Sequence, residues 1–287
     1  MEIGWITLVL LSAALHPLRD LALKGVLYPI AAYIGVAICW IFLALIHSQI
    51  EGHDLSLPDE TWGLVALSAL GLVIYYYGTL SALRRGDLSA YYPIVRSSPA
   101  AILVFSFLFL DQTYSWMAIL GIALVIVGSL MIQKPARGFA MNRRALILAV
   151  LAMLGSAAYT LTDSIAMQDV QPALFLFYVY IIVSGLLFAL WCRENAGLAP
   201  ALRATLEGWK QAPVRILLAG TISYLSYVMI LFAFQKGAEA TAVSAVRQVS
   251  IPISVILAAV ALHETQIPKR LGWASMIALG IICIVLL

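Results

Sequence analysis

The chain runs to 287 residues, of which 63% are apolar and 11% charged. Soluble domains average about 45–50% apolar and 25% charged. A soluble globular protein is excluded, because 17 basic and 14 acidic side chains cannot skin a core of this length unless lipid covers most of it; the net charge of +3 is also too slight to point to nucleic acid as a partner.

Spanning helices need about 20 mostly apolar residues to cross the hydrocarbon layer. Ten runs near that length follow one another, over 4–23, 29–48, 61–83, 87–110, 115–132, 145–167, 172–192, 216–235, 238–262 and 271–287. The first contains LVLLSAALHP, which has the apolar core and small residues of a secretory signal. Its leading segment carries Glu2 and no Lys or Arg, so it is expected to remain as a span. A polar connection at 49–60 follows the second run, and a basic one at 133–144 follows the fifth. The connection at 193–215 is expected to hold a surface helix over Ala201–Lys210. Little polar alternation interrupts the runs, so helices rather than barrel strands satisfy the backbone in lipid. The expected fold is all-α and integral to the membrane, with ten transmembrane helices. Trp5, Trp62, Trp116, Trp191 and Trp273 fall near run ends, where interfacial anchors sit. Cys39, Cys192 and Cys283 lie in or beside apolar runs without CxxC spacing, and read as small hydrophobes.

Basic residues orient the runs. Thirteen of the 17, from Lys24 and Arg84 to Lys269 and Arg270, fall on one side; only Lys236 falls on the other, and Arg19, Arg96 and Arg247 lie within runs. The basic side is therefore expected in the cytoplasm and both termini outside it.

Self-comparison reveals a repeat. An offset of 151 pairs Tyr76 with Tyr227, Ala82 with Ala233, Gly86 with Gly237, Val95 with Val246 and Arg96 with Arg247. At 153 Asp111 meets Glu264, and at 144 Ser12, Ala13 and Ala14 meet Ser156, Ala157 and Ala158. The predicted division is a five-helix repeat over 1–132, a linker over 133–144 and a second five-helix repeat over 145–287. An odd number of helices per copy makes the second enter from the opposite face, so the halves are expected to be inverted.

The ends of the two repeats carry the most specific pattern: ALRRGDLSAYYPIVRSSP followed by Asp111, Gly121 and Gly128, and AFQKGAEATAVSAVRQVSIP followed by Glu264 and Gly280. A small-residue turn, a helix with a central proline, an acidic residue and a glycine-spaced helix together resemble the ten-helix EamA-type members of the drug/metabolite transporter superfamily. The resemblance covers essentially the whole chain. HPLRDLALKG in the first run is similar to the His-Ala-Leu-Trp-Asn and following Lys of one branch, with Arg19 and Asp20 standing where that branch has Trp and Asn. The resemblance implies a secondary transporter in a bacterial cytoplasmic (inner) membrane.

Arg96 and Arg247 are each the tenth residue of their run, about 15 Å from the helix start at 1.5 Å per residue. An arginine at that depth costs about 2.5–3.5 kcal/mol on insertion scales and cannot easily snorkel. It calls for a buried partner or a wet cavity. One reading is a paired cationic site at the repeat interface that grips a carboxylate, phosphate or phosphonate with forked hydrogen bonds. The other is structural, each arginine pairing with Asp20 or Asp163 or capping carbonyls freed by proline. Pro93 and Pro99 flank Arg96 and Pro252 follows Arg247; each removes a helical hydrogen bond and frees a carbonyl, at Ser89, Val95 and Gln248, and helices interrupted at corresponding positions of two halves point to a transport site. Tyr76, Tyr227, Tyr92 and Gln248 add polar groups for a solute. Asp20 and Asp163, with Arg19 and His16 near the former, are candidates for ion pairing or proton coupling, and their distance from the run ends leaves room for partial hydration.

The chain lacks HExxH, GxSxG and Walker motifs and has no His or Cys pair at ligand spacing, so neither enzyme activity, cofactor nor metal is expected. The function these features favour is export or exchange of a small anionic or zwitterionic metabolite by alternating access, coupled to protons or a counter-solute, by a monomer or homodimer in the lipid bilayer. The other class is a lipid-handling protein, either a flippase for a lipid-linked head group or a non-catalytic membrane subunit.

Overall fold

The computed structural model describes residues 3–52, 54–85, 94–132, 143–253, 256 and 267–285, without the side chains of Asp20, 83–85, 132, 267–271 and 285. Its elements there are all helical. Helices α1 (Trp5–Leu23), α2 (Pro29–Ile50) and α3 (Thr61–Arg85) are followed by α4 (Ser98–Phe109) and α5 (Trp116–Ile132). The second half comprises α6 (Arg143–Ala166), α7 (Pro172–Glu194), α8 (Leu198–Gln211), α9 (Pro213–Gln235), α10 (Ala240–Val246) with a 3-10 turn at Arg247–Val249, and α11 (Ile267–Val285). Pro29, Pro172 and Pro213 open α2, α7 and α9, at the first turn where a missing N–H costs no intrahelical bond.

Among the described residues, six helices are long and apolar enough to cross a membrane: α1, α2, α3 to Ala82, α6, α7 and α9. The fourth, fifth and tenth expected spans are represented by the shorter apolar stretches Ser98–Phe109, Trp116–Met131 and Gly272–Ile284. The ninth expected span is a broken helix. Most of the linker at 133–144, Gly86, Glu264 and the end of the ninth run lie outside the described residues.

The main helix pairs each join one helix from before the linker to one after it: α1 with α9, α2 with α7, α3 with α6, α4 with α10 and α5 with α11. Exchanging the two halves maps this set of pairs onto itself. Ser12 Oγ lies 2.9 Å from Ser226 Oγ where α1 crosses α9. The repeat offsets turn that pair into Ser156 and Tyr75, and at the crossing of α6 with α3 a Cβ on the neighbouring Gly155 would stand 2.9 Å from the Tyr75 backbone nitrogen. Backbones also touch where α5 meets α11, since a Cβ on Gly121 would come within 2.6 Å of the Gly280 carbonyl oxygen. Small residues at such crossings let helices approach when lipid offers no hydrophobic drive for association.

The surface helix expected over Ala201–Lys210 forms as α8, entered through Gly197 at φ 136°, a conformation glycine adopts without a Cβ penalty. Its buried side, Ala201, Thr205 and Gly208, lies against the bundle, and Trp209 Nε1 donates to the Ala31 carbonyl at 2.7 Å. Leu198, Leu202 and Leu206 form an adjacent exposed apolar stripe, with Arg203, Glu207 and Lys210 on the remaining arc. Trp209→Phe keeps the ring volume roughly and removes one hydrogen bond, so it should cost about 1 kcal/mol. The check is a small fall in thermal midpoint with solute-dependent stabilisation unchanged. Trp191 departs from its expected place at an interface. It is buried in the main core, because the connection that follows it folds back as α8 along α7 and α2.

At the basic side, Arg215 of α9 donates through Nε to the Ala22 carbonyl at 2.8 Å and through Nη2 to the Lys24 carbonyl. It caps the carbonyl end of α1, where a cation is favoured by the helix dipole.

Candidate functional site

Both central arginines sit at helix breaks. Residues 94–96 are helical, the chain turns at Ser97, and α4 begins at Ser98. Ser97 N donates to Ile94 O and Ala100 N to Ser97 O, both at 3.0 Å. These tight bonds leave the Arg96 carbonyl to accept from Gln248 Nε2 at 3.0 Å. Pro99 itself follows the interruption expected around it, which falls at Ser97. It stands in the first turn of α4, where its ring suits the helix start. Arg247 opens the 3-10 turn that separates α10 from the helical residues 250–253. Pro252 has no N–H for the Gln248 carbonyl, and Ser250 N takes over, donating to both Arg247 O and Gln248 O. The two breaks touch through Gln248, which gives one of its two amide N–H groups to the Arg96 carbonyl and also lines the cavity between them.

Arg96, Arg247 and Arg19 line one cavity of about 60 Å³, counted as space for the centres of water-sized molecules. A single water needs about 10–15 Å³ on that measure, so the cavity holds a few waters or a small head group. His16 also lines it. Arg19 is 8% exposed, and its Nη2 lies 3.3 Å from His16 Nε2. Ser156, Thr160, Ser223, Ser226 and Ser244 supply hydroxyls around the cavity. Its wall comes from the first, third, fourth, sixth, eighth and ninth runs. The second and seventh join them through Trp40 and Tyr180.

Those two aromatics had not been singled out in the sequence. Trp40 stacks on Tyr180 with ring centroids 4.1 Å apart and donates from Nε1 to Ser223 Oγ at 2.9 Å. The available signal was position: Trp40 lies in the middle of its run, unlike the tryptophans near run ends. Tyr76 Oη is 3.0 Å from Tyr180 Oη, which places the expected Tyr76 hydroxyl in the same aromatic wall.

Tyr227, expected at the site, also lines the cavity. Its hydroxyl donates to Asp163 Oδ2, and the Arg247 guanidinium carbon lies 5.7 Å from its ring centroid, within cation–π range. Ser68 Oγ donates to Asp163 Oδ1 at 2.5 Å. Partial hydration of Asp163 is not what the structure shows, since the residue is 0% exposed under α3 and α9. Nor does it pair directly with Arg247; among the described residues no carboxylate lies within 4.0 Å of that guanidinium. Asp163 instead anchors the ring on which Arg247 rests. The Asp20 side chain, Tyr92 and Pro93 lie outside the described residues. Among the described residues there is no group of three His, Cys, Asp or Glu able to hold a metal ion.

Two comparisons bear on this architecture. A model described as the EamA-like transporter family matches residues 3–133 and again 143–286. A solved structure described only as the crystal structure of a protein is similar with a TM-score of 0.76, at 15% identity over 98% of this chain and 96% of its own; it supports the fold alone. No curated protein matches the chain.

Proposed function

Because the chain belongs to the EamA-like transporter family, we propose that it is a secondary transporter that moves a small organic solute bearing an anionic group by alternating access between two inverted five-helix halves. One observation carries the reading: Arg96 and Arg247, which the repeat makes equivalent, line the same small cavity, each at a break in its helix. Interrupted helices at corresponding positions of two halves are where transporter sites are built. A guanidinium there meets a carboxylate or phosphate with parallel N–H bonds, and the sheltered setting strengthens them. The guanidiniums and hydroxyls of the lining favour a soluble solute over a lipid-handling role. The loop charges support an orientation with both termini outside the cytoplasm, and a C-terminal reporter active only in the cytoplasm would contradict it. Asp163 is the candidate for proton coupling, through the hydroxyl of Tyr227.

Thermal unfolding of the purified chain against anionic, zwitterionic and cationic metabolites tests the site. A ligand at about 100 times its Kd stabilises the folded state by about 2.7 kcal/mol. Anionic solutes should raise the midpoint of the wild type and lose that effect in Arg96→Ala and Arg247→Ala. Stabilisation by cations alone, indifferent to both substitutions, would overturn the reading.

A further inference from the structure

We infer that the cavity is built for a doubly charged tetrahedral oxyanion head, the class to which phosphate monoesters belong, and that Arg19 is the residue that reads the second charge. This rests on the anion-site reading above and narrows it. The repeat pairs only Arg96 with Arg247, whereas the cavity gathers a third guanidinium, from α1. The three come from three separate segments and from both halves of the chain, and all border the one cavity. A carboxylate has two oxygens and one charge, and one or two forks satisfy it. A tetrahedral dianion has three oxygens and two charges, which suits three forks.

Two features set the geometry of the forks. Arginine has no acceptor, so the 3.3 Å contact makes His16 Nε2 the acceptor and Arg19 Nη2 the donor. His16 is thus a positioning residue that turns the Arg19 fork without adding charge. Arg247 is held against the Tyr227 ring, and that ring is tethered by its hydroxyl to Asp163. The volume of about 60 Å³ fits a compact head and not a bulky one. A small organic body would extend toward the Trp40 and Tyr180 wall.

Methyl phosphate and methyl sulfate separate charge from shape, because both present three terminal oxygens and only the first gains a second charge near pH 6. Calorimetric titration of the full chain in nanodiscs at pH 5.0 and 7.5 gives the answer. As the dianion fraction rises from about one tenth to nearly all, methyl phosphate should tighten by up to about tenfold relative to methyl sulfate. His16 and the lining arginines and tyrosines face both probes alike, so their own pH response cancels in the ratio. Arg19→Gln, confirmed as folded by monodisperse elution, should lose most of that step, and Arg19→Lys should recover part of it. Equal binding of the two probes at both pH values overturns the inference, as does binding of carboxylates with neither probe bound; in both cases the anion site stands. If no anion binds, both readings fall.

Discussion

Arg247→Ala is expected to weaken binding of the anionic solute by about a hundredfold or more. Hydrogen bonds to charged groups contribute about 1.5–3 kcal/mol each, and a fork makes two, so roughly 3–6 kcal/mol is lost where about 1.4 kcal/mol is tenfold in Kd. The ring of Tyr227, its centroid 5.7 Å from the guanidinium carbon, adds a cation–π attraction that helps hold the side chain in place. Arg247→Lys tests that last element. It keeps the charge, loses the planar fork and its stacking, and should fall between, about tenfold weaker than wild type. The side chain is only partly buried and begins a helix break, so the fold should survive both changes. Unchanged affinity in the folded alanine variant would place the anion elsewhere.

Gly155→Val should damage the fold strongly. A Cβ at Gly155 would stand 2.7 Å from the Gly71 carbonyl oxygen and 2.9 Å from the Tyr75 nitrogen, and both are backbone atoms that cannot rotate away. The reciprocal contact is as tight, a Cβ on Gly71 meeting the Tyr159 nitrogen at 2.9 Å. Helices α3 and α6 would have to separate, and overpacking of this kind costs about 1–3 kcal/mol, with valine at or above the top of that range. For a chain of this size that corresponds to a fall in thermal midpoint of about 6–12 °C. Asp163 lies two turns along α6 from the crossing, and its bonds to Ser68 and Tyr227 depend on the spacing of the helices. Solute binding should therefore weaken with stability. Gly185→Ala on α7, where a Cβ would meet nothing within 4 Å, is the control and should not lower the midpoint, alanine being the better helix former by up to about 1 kcal/mol.

The positions of these residues show what a linear reading can reach. Run length and loop charge sufficed to find the long helices, because lipid imposes one period and one length on them. The repeat offset was enough to make Arg96 and Arg247 equivalent. It could not show that Gln248 bridges the two breaks, since that contact joins residues 152 positions apart. Pro99 was legible as an interruption but not as a helix start, because the tight bonds at Ser97 that precede it are a property of the turn and not of proline. Asp163 misled by its depth: distance from the end of a run implies hydration only when no neighbour covers it, and α3 and α9 both do. Trp40 and Tyr180 became visible as a pair only once α2 packed on α7. Arg19 was noticed beside His16 one turn earlier, yet its place with the other two arginines follows from how α1 lies against α9 and the turn at Arg247.

The central claim is that anions meet Arg96 and Arg247 within the membrane. Charge displacement recorded from proteoliposomes on a solid-supported membrane, after a jump in anion concentration, tests it without knowledge of the natural solute. The expected result is a saturable transient of negative charge moving into the protein for anionic metabolites, absent for cationic ones and abolished in an Arg96→Ala, Arg247→Ala double variant that still reconstitutes. An equal anion transient in that variant, or a wild-type response to cations only, would contradict the account.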